Sequence, residues 1–282
     1  MIKGFSARNW KLRLMGHPSE DSYSIDEKNR IFSVADGVTR DPLLYLPDIT
    51  TLGGKLKFAR SYPKQSPAKM SADIFCNVFP IVLSDFRDKD ENAVRVAFGE
   101  SNKKIGEWNK NNIPCPNYLL NDFAGCVSAG VSIEKGVINW GYLTDCGVTI
   151  FDKNGDIRFR TENQGPDKYD KNIRKDKRLT GLDWRNPRAR EVIRKYYRNN
   201  PKEENSFGVL TGEETAMHYV RTGRKEIMPE EYLIVYSDGL EPIIFSGQFA
   251  DKIREQNIRG IEKLCKRNVK TEGTLIISRF DP

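Results

Sequence analysis

In SEDSYSIDEKNRIFSVADG, residues 19–37, carboxylates surround a strand-like apolar run: Glu20-Asp21 open the segment and Asp36 stands at the end of Ile31-Phe32-Ser33-Val34-Ala35. Apolar and β-branched residues bounded by turn formers mark that run as a buried strand. The plain reading of Asp36-Gly37 is a hairpin turn, since Asp-Gly is a strong two-residue turn signal. The same device returns two hundred residues later, in EYLIVYSDGLEP (231–242), where the apolar run Tyr232–Tyr236 ends at Ser237-Asp238-Gly239. If both strands end at one sheet edge, their carboxylates meet. Two carboxylates that close repel each other unless a cation lies between them, and a divalent metal is the usual resolution. A glycine after each aspartate permits a sharp turn and frees a carbonyl oxygen as a further hard ligand.

Outward from these two points, β character opens the chain over Ile2–Trp10, Ser22–Ile25 and Ile31–Ala35. The spacing then predicts two helices, over 67–86 and 91–111, with Ser66-Pro67 as the first helix start and Pro80 as a kink or break within it. Residues 37–65 are punctuated by Pro and Gly and read as a loop holding at most a short element. A three-stranded meander is expected from 122–133, 137–152 and 157–163, separated by Glu134-Lys135-Gly136 and Lys153-Asn154-Gly155. Residues 186–200 predict a helix within an insertion. Strands are expected again at 206–213, 232–239 and 273–280, with a helix inside 246–267. This order does not alternate βαβα, which excludes a doubly wound parallel sheet and favours an antiparallel α+β architecture with helices packed on stacked sheets.

Composition narrows the chemistry. At 282 residues and 30% charged the chain suits one large globular domain. No apolar stretch reaches the roughly 18 residues of a membrane span, and MIKGFSARNWKLRL lacks a signal-peptide h-region, so a cytoplasmic location is expected. The five cysteines form no C-x-x-C pair, and the two histidines, His17 and His218, stand far apart. That pattern argues against a zinc site, a disulfide framework or a Ser-His-Asp triad, and leaves a hard metal held by oxygen. The net charge of +7 is concentrated in residues 168–198, which carry 12 Lys/Arg against 4 Asp/Glu. Taken alone, such a run is a solvated helical face. It lacks the aromatic and glycine stacking motifs of a dedicated nucleic-acid reader.

The ordered set Glu20-Asp21, VADGV (34–38), AGCVSAGVSI (124–133), GYLTDCGVTIFDKNGDI (141–157), YSDGL (236–240) and EGTLIISRF (272–280) resembles the metal-dependent Ser/Thr protein phosphatases, the PPM or type 2C family. The resemblance spans nearly the whole chain. It implies a single domain over 1–282, an α+β four-layer αββα sandwich of two antiparallel sheets flanked by helix pairs, with a basic flap-like insertion at about 163–206. It also implies a centre of two Mg²⁺ or Mn²⁺ ions, with a third possible, that activates a water for in-line attack on a phosphoserine or phosphothreonine of a protein substrate. On this resemblance Asp36 bridges the metals, Gly37 offers its carbonyl, Asp238 binds one ion and Glu20 the other. Asp21 acts through bound water and Asp145 belongs to the third site. Catalysis is expected to rest on Asp36, Asp238 and Asp21.

Three positions depart from the family pattern. The last strand begins Thr271-Glu272 where the family has an aspartate ligand, so either Glu272 takes that role one residue late or one metal is held weakly. The acidic residue that often follows Ser-Asp-Gly is replaced by Pro242, beside Glu241. Gly16 stands where a phosphate-clamping arginine is common, with Arg13 and His17 as nearby candidates. These departures keep a second class open: a catalytically weak member of the family that serves as a binding or regulatory module.

Overall fold

The computed structural model describes residues 1–14, 18–38, 51–61, 65–113, 123–165, 173, 175–182 and 187–281. Ten strands form two five-stranded antiparallel sheets among these residues. The strands are β1 (Ile2–Arg8), β2 (Ser22–Asp26), β3 (Ile31–Val38), β4 (Gly125–Glu134), β5 (Val137–Leu143), β6 (Gly147–Phe151), β7 (Ile157–Arg160), β8 (Arg221–Glu226), β9 (Tyr232–Tyr236) and β10 (Glu272–Arg279). One sheet runs β1-β10-β9-β6-β7 and the other β2-β3-β4-β5-β8.

Side-chain alternation builds four layers from these sheets. On β3, Phe32 and Val34 point between the sheets and pack with Val127, Val131, Val148, Leu233, Val235 and Ile276. Ile31 and Ala35 point the other way, onto the helices α3 (Pro67–Ser84) and α4 (Glu91–Asn112), through Phe75, Phe79 and Phe98. The far face of the first sheet is covered by α6 (Glu241–Ile244), α7 (Gly247–Arg254) and α8 (Ile258–Asn268), where Phe249, Ile253, Ile261 and Cys265 meet Phe5, Ile234 and Leu275. The remaining helices are α1 (Trp10–Leu14), α2 (Leu52–Ser61) and α5 (Pro187–Val192), which continues as a π-helical turn to Tyr197. The expected αββα sandwich is therefore the observed one.

Several elements differ from expectation. β3 runs on through Asp36 and Gly37 to Val38, pairing Asp36 with Val127, so Asp36-Gly37 is strand and not a hairpin turn. The 137–152 run is two strands in different sheets, broken at Thr144 and Asp145. Thr144 adopts φ 67°, a left-handed conformation that turns the chain out of one sheet and into the other. β1 stops at Arg8 because the Asn9 side chain accepts the Lys11 amide at 2.9 Å and starts α1. Ser66 caps α3 and Pro67 follows it, as expected, but α3 passes through Pro80 unbroken. The missing amide is offset by aromatic packing around it, Phe75 stacked on Phe79 at 5.2 Å and both rings meeting Phe98 tilted or edge-on, at centroid distances of 5.0 and 5.5 Å. β8, RTGRKE, is an edge strand with a charged, largely exposed sequence that carries no apolar alternation. The 206–213 segment contributes isolated bridges at Phe207 and Leu210 in place of a strand.

Candidate metal centre

All the strand ends that carry the expected site residues lie at one end of the sandwich. Asp36 sits near the C-terminal end of β3, and Asp21 immediately precedes β2. Register explains their meeting. Ser22 pairs with Ala35, so Asp21 and Asp36 are the next cross-strand neighbours and share the face that looks between the sheets. From the opposite sheet come Asp238, two residues past the end of β9, and Glu272, the first residue of β10. Asp145 lies in the crossing from β5 to β6.

Electrostatics tie these groups together. Asp21 is buried, 4% exposed. Its carboxyl is pushed up to about 7, first by burial and then by the charge of Glu272, against hydrogen bonds with Asp36, Ser237 and Thr274 that pull it down. Asp36 is raised well above the ordinary carboxylate range by burial and by the charges of Asp21 and Asp238, with Asp145 adding to them. The charges acting most strongly on Asp36 are thus all negative. Among the described residues no three His, Cys, Asp or Glu side chains stand in a ready chelating arrangement. Asp21 and Asp36 hydrogen-bond each other instead, which for two buried carboxyls means sharing a proton. Buried, mutually repelling, oxygen-only donors of this kind suit a hard divalent cation that replaces the proton.

Glycines set the close approaches around the cluster. A Cβ on Gly37 would lie 2.5 Å from the Ala68 carbonyl oxygen, in the first turn of α3, and one on Gly239 would overlap the Glu272 carbonyl oxygen. β9 and β10 thereby bring Asp238 and Glu272 to the same edge.

The two members of the acidic pair part company. While Asp21 joins Asp36, the Glu20 Oε1 accepts a short hydrogen bond from the hydroxyl of Ser66, the cap of α3. The Asp21 carbonyl accepts from Lys69 Nζ at 2.7 Å, which docks α3 against this corner. Glu272 Oε1 accepts from the Ser19 hydroxyl and from the Glu20 and Asp21 amides, each at 2.7 Å. Glu241 is engaged by Arg160 at 2.6 Å and Asn163 at 2.9 Å. Arg13 is exposed on α1, and His17 and Gly16 lie outside the described residues.

Sequence reasoning missed Ser237. Its buried hydroxyl donates to Asp21 Oδ2 at 2.8 Å and accepts the Thr274 amide at 2.8 Å, stitching β9, β10 and the Asp21 corner together. Its place beside Asp238 was the available signal.

The basic insertion is rooted at this same end. The Gln164 amide donates to the Thr144 carbonyl at 2.7 Å, and the Thr144 hydroxyl donates to the Gly208 carbonyl at 2.5 Å, so both stems of the insertion clasp the residue before Asp145. The reading of a wholly solvated face is corrected here. Ile173, Leu179, Ala189, Ile193 and Tyr197 join the core between the sheets, and Arg190 and Arg198 are only 6% and 8% exposed. Lys175, Lys177 and Arg178 remain exposed, Arg178 being held by Asp176 and stacked 3.8 Å from the Tyr196 ring.

No family model and no curated protein matches the chain in sequence. Solved structures do match in fold. The catalytic domain of the serine/threonine protein phosphatase PstP, in complex with two manganese ions, superposes with a TM-score of 0.63 at 12% identity, covering 100% of this chain and 98% of that one. The PPM Ser-Thr phosphatase MsPP from Mycobacterium smegmatis gives 0.55 at 10% identity, with 98% and 97% covered. RsbX in complex with magnesium gives 0.52 at 11%, with 98% and 92% covered. The chain has the fold of the PPM Ser/Thr phosphatases along its whole length.

Proposed function

We propose that the protein is a metal-dependent phosphoprotein phosphatase of the PPM family, acting on phosphoserine and phosphothreonine. The observation that carries this reading is the convergence of Asp21, Asp36, Asp145 and Asp238 at one end of a sandwich shared with such phosphatases. Asp36, on the face of β3 that looks between the sheets, would bridge two ions, with Asp238 and the Gly37 carbonyl as further ligands. Asp21 would orient bound water beneath Asp36, held by Ser237, and Asp145 would serve a third, weaker site at the root of the insertion. Glu20, drawn toward Ser66, would reach its ion across the start of α3, and Glu272 stands at the same edge as the first residue of β10. The chemistry that Mg²⁺ or Mn²⁺ supplies when bound is activation of water and neutralisation of charge on the phosphoryl oxygens. The protein's own part is to hold carboxylates close enough that only a cation, or a proton, relieves them. The four cysteines among the described residues are buried, and the buried thiols of Cys126 and Cys146 are pushed well above their ordinary range, which fits a reaction without an enzyme nucleophile.

One feature favours the second reading, a weakly active binding module. The last strand lacks the family's aspartate at Thr271, and the Glu272 carboxylate accepts from the Ser19 hydroxyl and the Glu20 and Asp21 amides. Hydrolysis of p-nitrophenyl phosphate and of a phosphothreonine peptide, with and without Mn²⁺, separates the two. The phosphatase reading expects turnover that EDTA abolishes and Mn²⁺ restores. Specific phosphopeptide binding with no turnover at saturating Mn²⁺ would establish the alternative.

A further inference from the structure

Glu272 occupies the place where a ligand was expected, yet its geometry describes another task. Among the described residues its three hydrogen bonds all fall on Oε1, from the Ser19 hydroxyl and two successive amides, Glu20 and Asp21, each at 2.7 Å. A carboxylate oxygen offers about two lone-pair directions, so three donors saturate Oε1 and leave any ligand role to Oε2 alone. Successive amides aimed at one anion form a nest, and charge-assisted bonds of this kind are the strong ones. They hold Glu272 beside a buried aspartate that repels it. Glu272 is fixed from its own side as well: it pairs with Arg8 of β1, and the Thr271 carbonyl accepts the Asn9 amide at 2.7 Å.

We propose that Glu272 is a positioning residue, a brace through which β10 fixes the backbone of residues 19–21 and thereby presents Asp21 to Asp36, rather than a ligand in its own right. This rests on the phosphatase reading above. The final strand then serves the centre through the loop it holds, which accounts for a chain that lacks an aspartate at position 271.

Two substitutions distinguish brace from ligand. Glu272→Gln keeps an oxygen to accept the three donors but loses the charge a metal needs, and Glu272→Ala loses both. Amide hydrogen exchange of the metal-free proteins reads the loop, and calorimetric titration with Mn²⁺ reads the centre. In Glu272→Ala the Glu20 and Asp21 amides should exchange at least about tenfold faster and Mn²⁺ should bind at least about tenfold more weakly, whereas Glu272→Gln should stay within about threefold on both. Unchanged exchange in metal-free Glu272→Ala overturns the proposal. So does a loss of Mn²⁺ affinity in Glu272→Gln as large as in the alanine variant with the amides still protected, which would make Glu272 a ligand. If no protein in the set binds Mn²⁺, the phosphatase reading fails, and the amide exchange alone still decides whether Glu272 is a brace.

Discussion

Asp36 costs the metal-free protein stability and is the residue the proposed activity can least spare. Strand alternation puts it on the face between the sheets, opposite Asp21, and like charges directly opposed across a strand pair destabilise a sheet. The folded-state value of Asp21, about 7 against an ordinary 3.8, and the still stronger upward push on Asp36 mean that the folded protein binds more protons than the unfolded chain in this window. Stability of the metal-free protein is therefore greatest below about pH 4 as far as these groups are concerned. It falls as pH rises from about 4 toward 7, by up to about 4 kcal/mol from Asp21. Asp36→Asn should flatten that slope and raise the melting temperature of the metal-free protein at pH 7 by about 2 °C or more. The same variant should keep less than about a tenth of the Mn²⁺-dependent turnover, a barrier increase of at least ~1.4 kcal/mol. Thermal melts from pH 4 to 8 and a phosphatase assay check both halves. A variant that gained no stability, or kept its activity, would contradict this role.

At the scale of elements, the two stems of the insertion between β7 and β8 meet at Thr144, beside Asp145, and on the phosphatase reading proposed above this would bring the insertion to bear on substrates. Lys175 and Lys177 are exposed on it, whereas Arg178 is committed to Asp176. Lys175→Gln with Lys177→Gln should raise KM for an acidic phosphopeptide severalfold, weaken its dependence on salt, and leave p-nitrophenyl phosphate within about twofold. Equal losses on both substrates would assign the segment a structural role. The elements also show what a sequence carries. β3, β9, α3 and α4 were legible because their apolar runs and caps are local signals. The switch of sheets at Asp145 was not, since Leu143 leads into Val148 through Thr-Asp-Cys-Gly with no adjacent turn pair, and the left-handed residue is a threonine, Thr144. β8 escaped because an edge strand can be charged throughout. Within the site, Asp36 and Asp238 were readable from strand endings, whereas Asp145 was singled out only by the family resemblance, inside a run expected as one strand. The divergence of Glu20 from Asp21 follows from the pairing of Ser22 with Ala35, and register emerges only when the strands are paired.

For the whole molecule, the centre is a consequence of layering. Two sheets pack on Phe32, Val34, Val148, Val235 and Ile276, and the ends of β3 and β9 then face each other across the gap with an aspartate each. No helix among the described residues is long and apolar enough to cross a membrane, and the helices instead cover the outer faces of both sheets. A fold shared at 10–12% identity with PPM phosphatases is thus kept by apolar alternation, while Asp21, Asp36, Asp145 and Asp238 gather at one end. The central claim is that this end holds divalent metal. Calorimetric titration of Mn²⁺ into the metal-free wild type and Asp36→Asn at pH 7, in two buffers of different ionisation enthalpy, tests it most directly. The account predicts saturable binding with release of about one proton in the wild type, as Mn²⁺ displaces the proton shared by Asp21 and Asp36, and affinity at least about tenfold weaker in the variant. Equal affinity in both proteins, or no binding by the wild type, would contradict it.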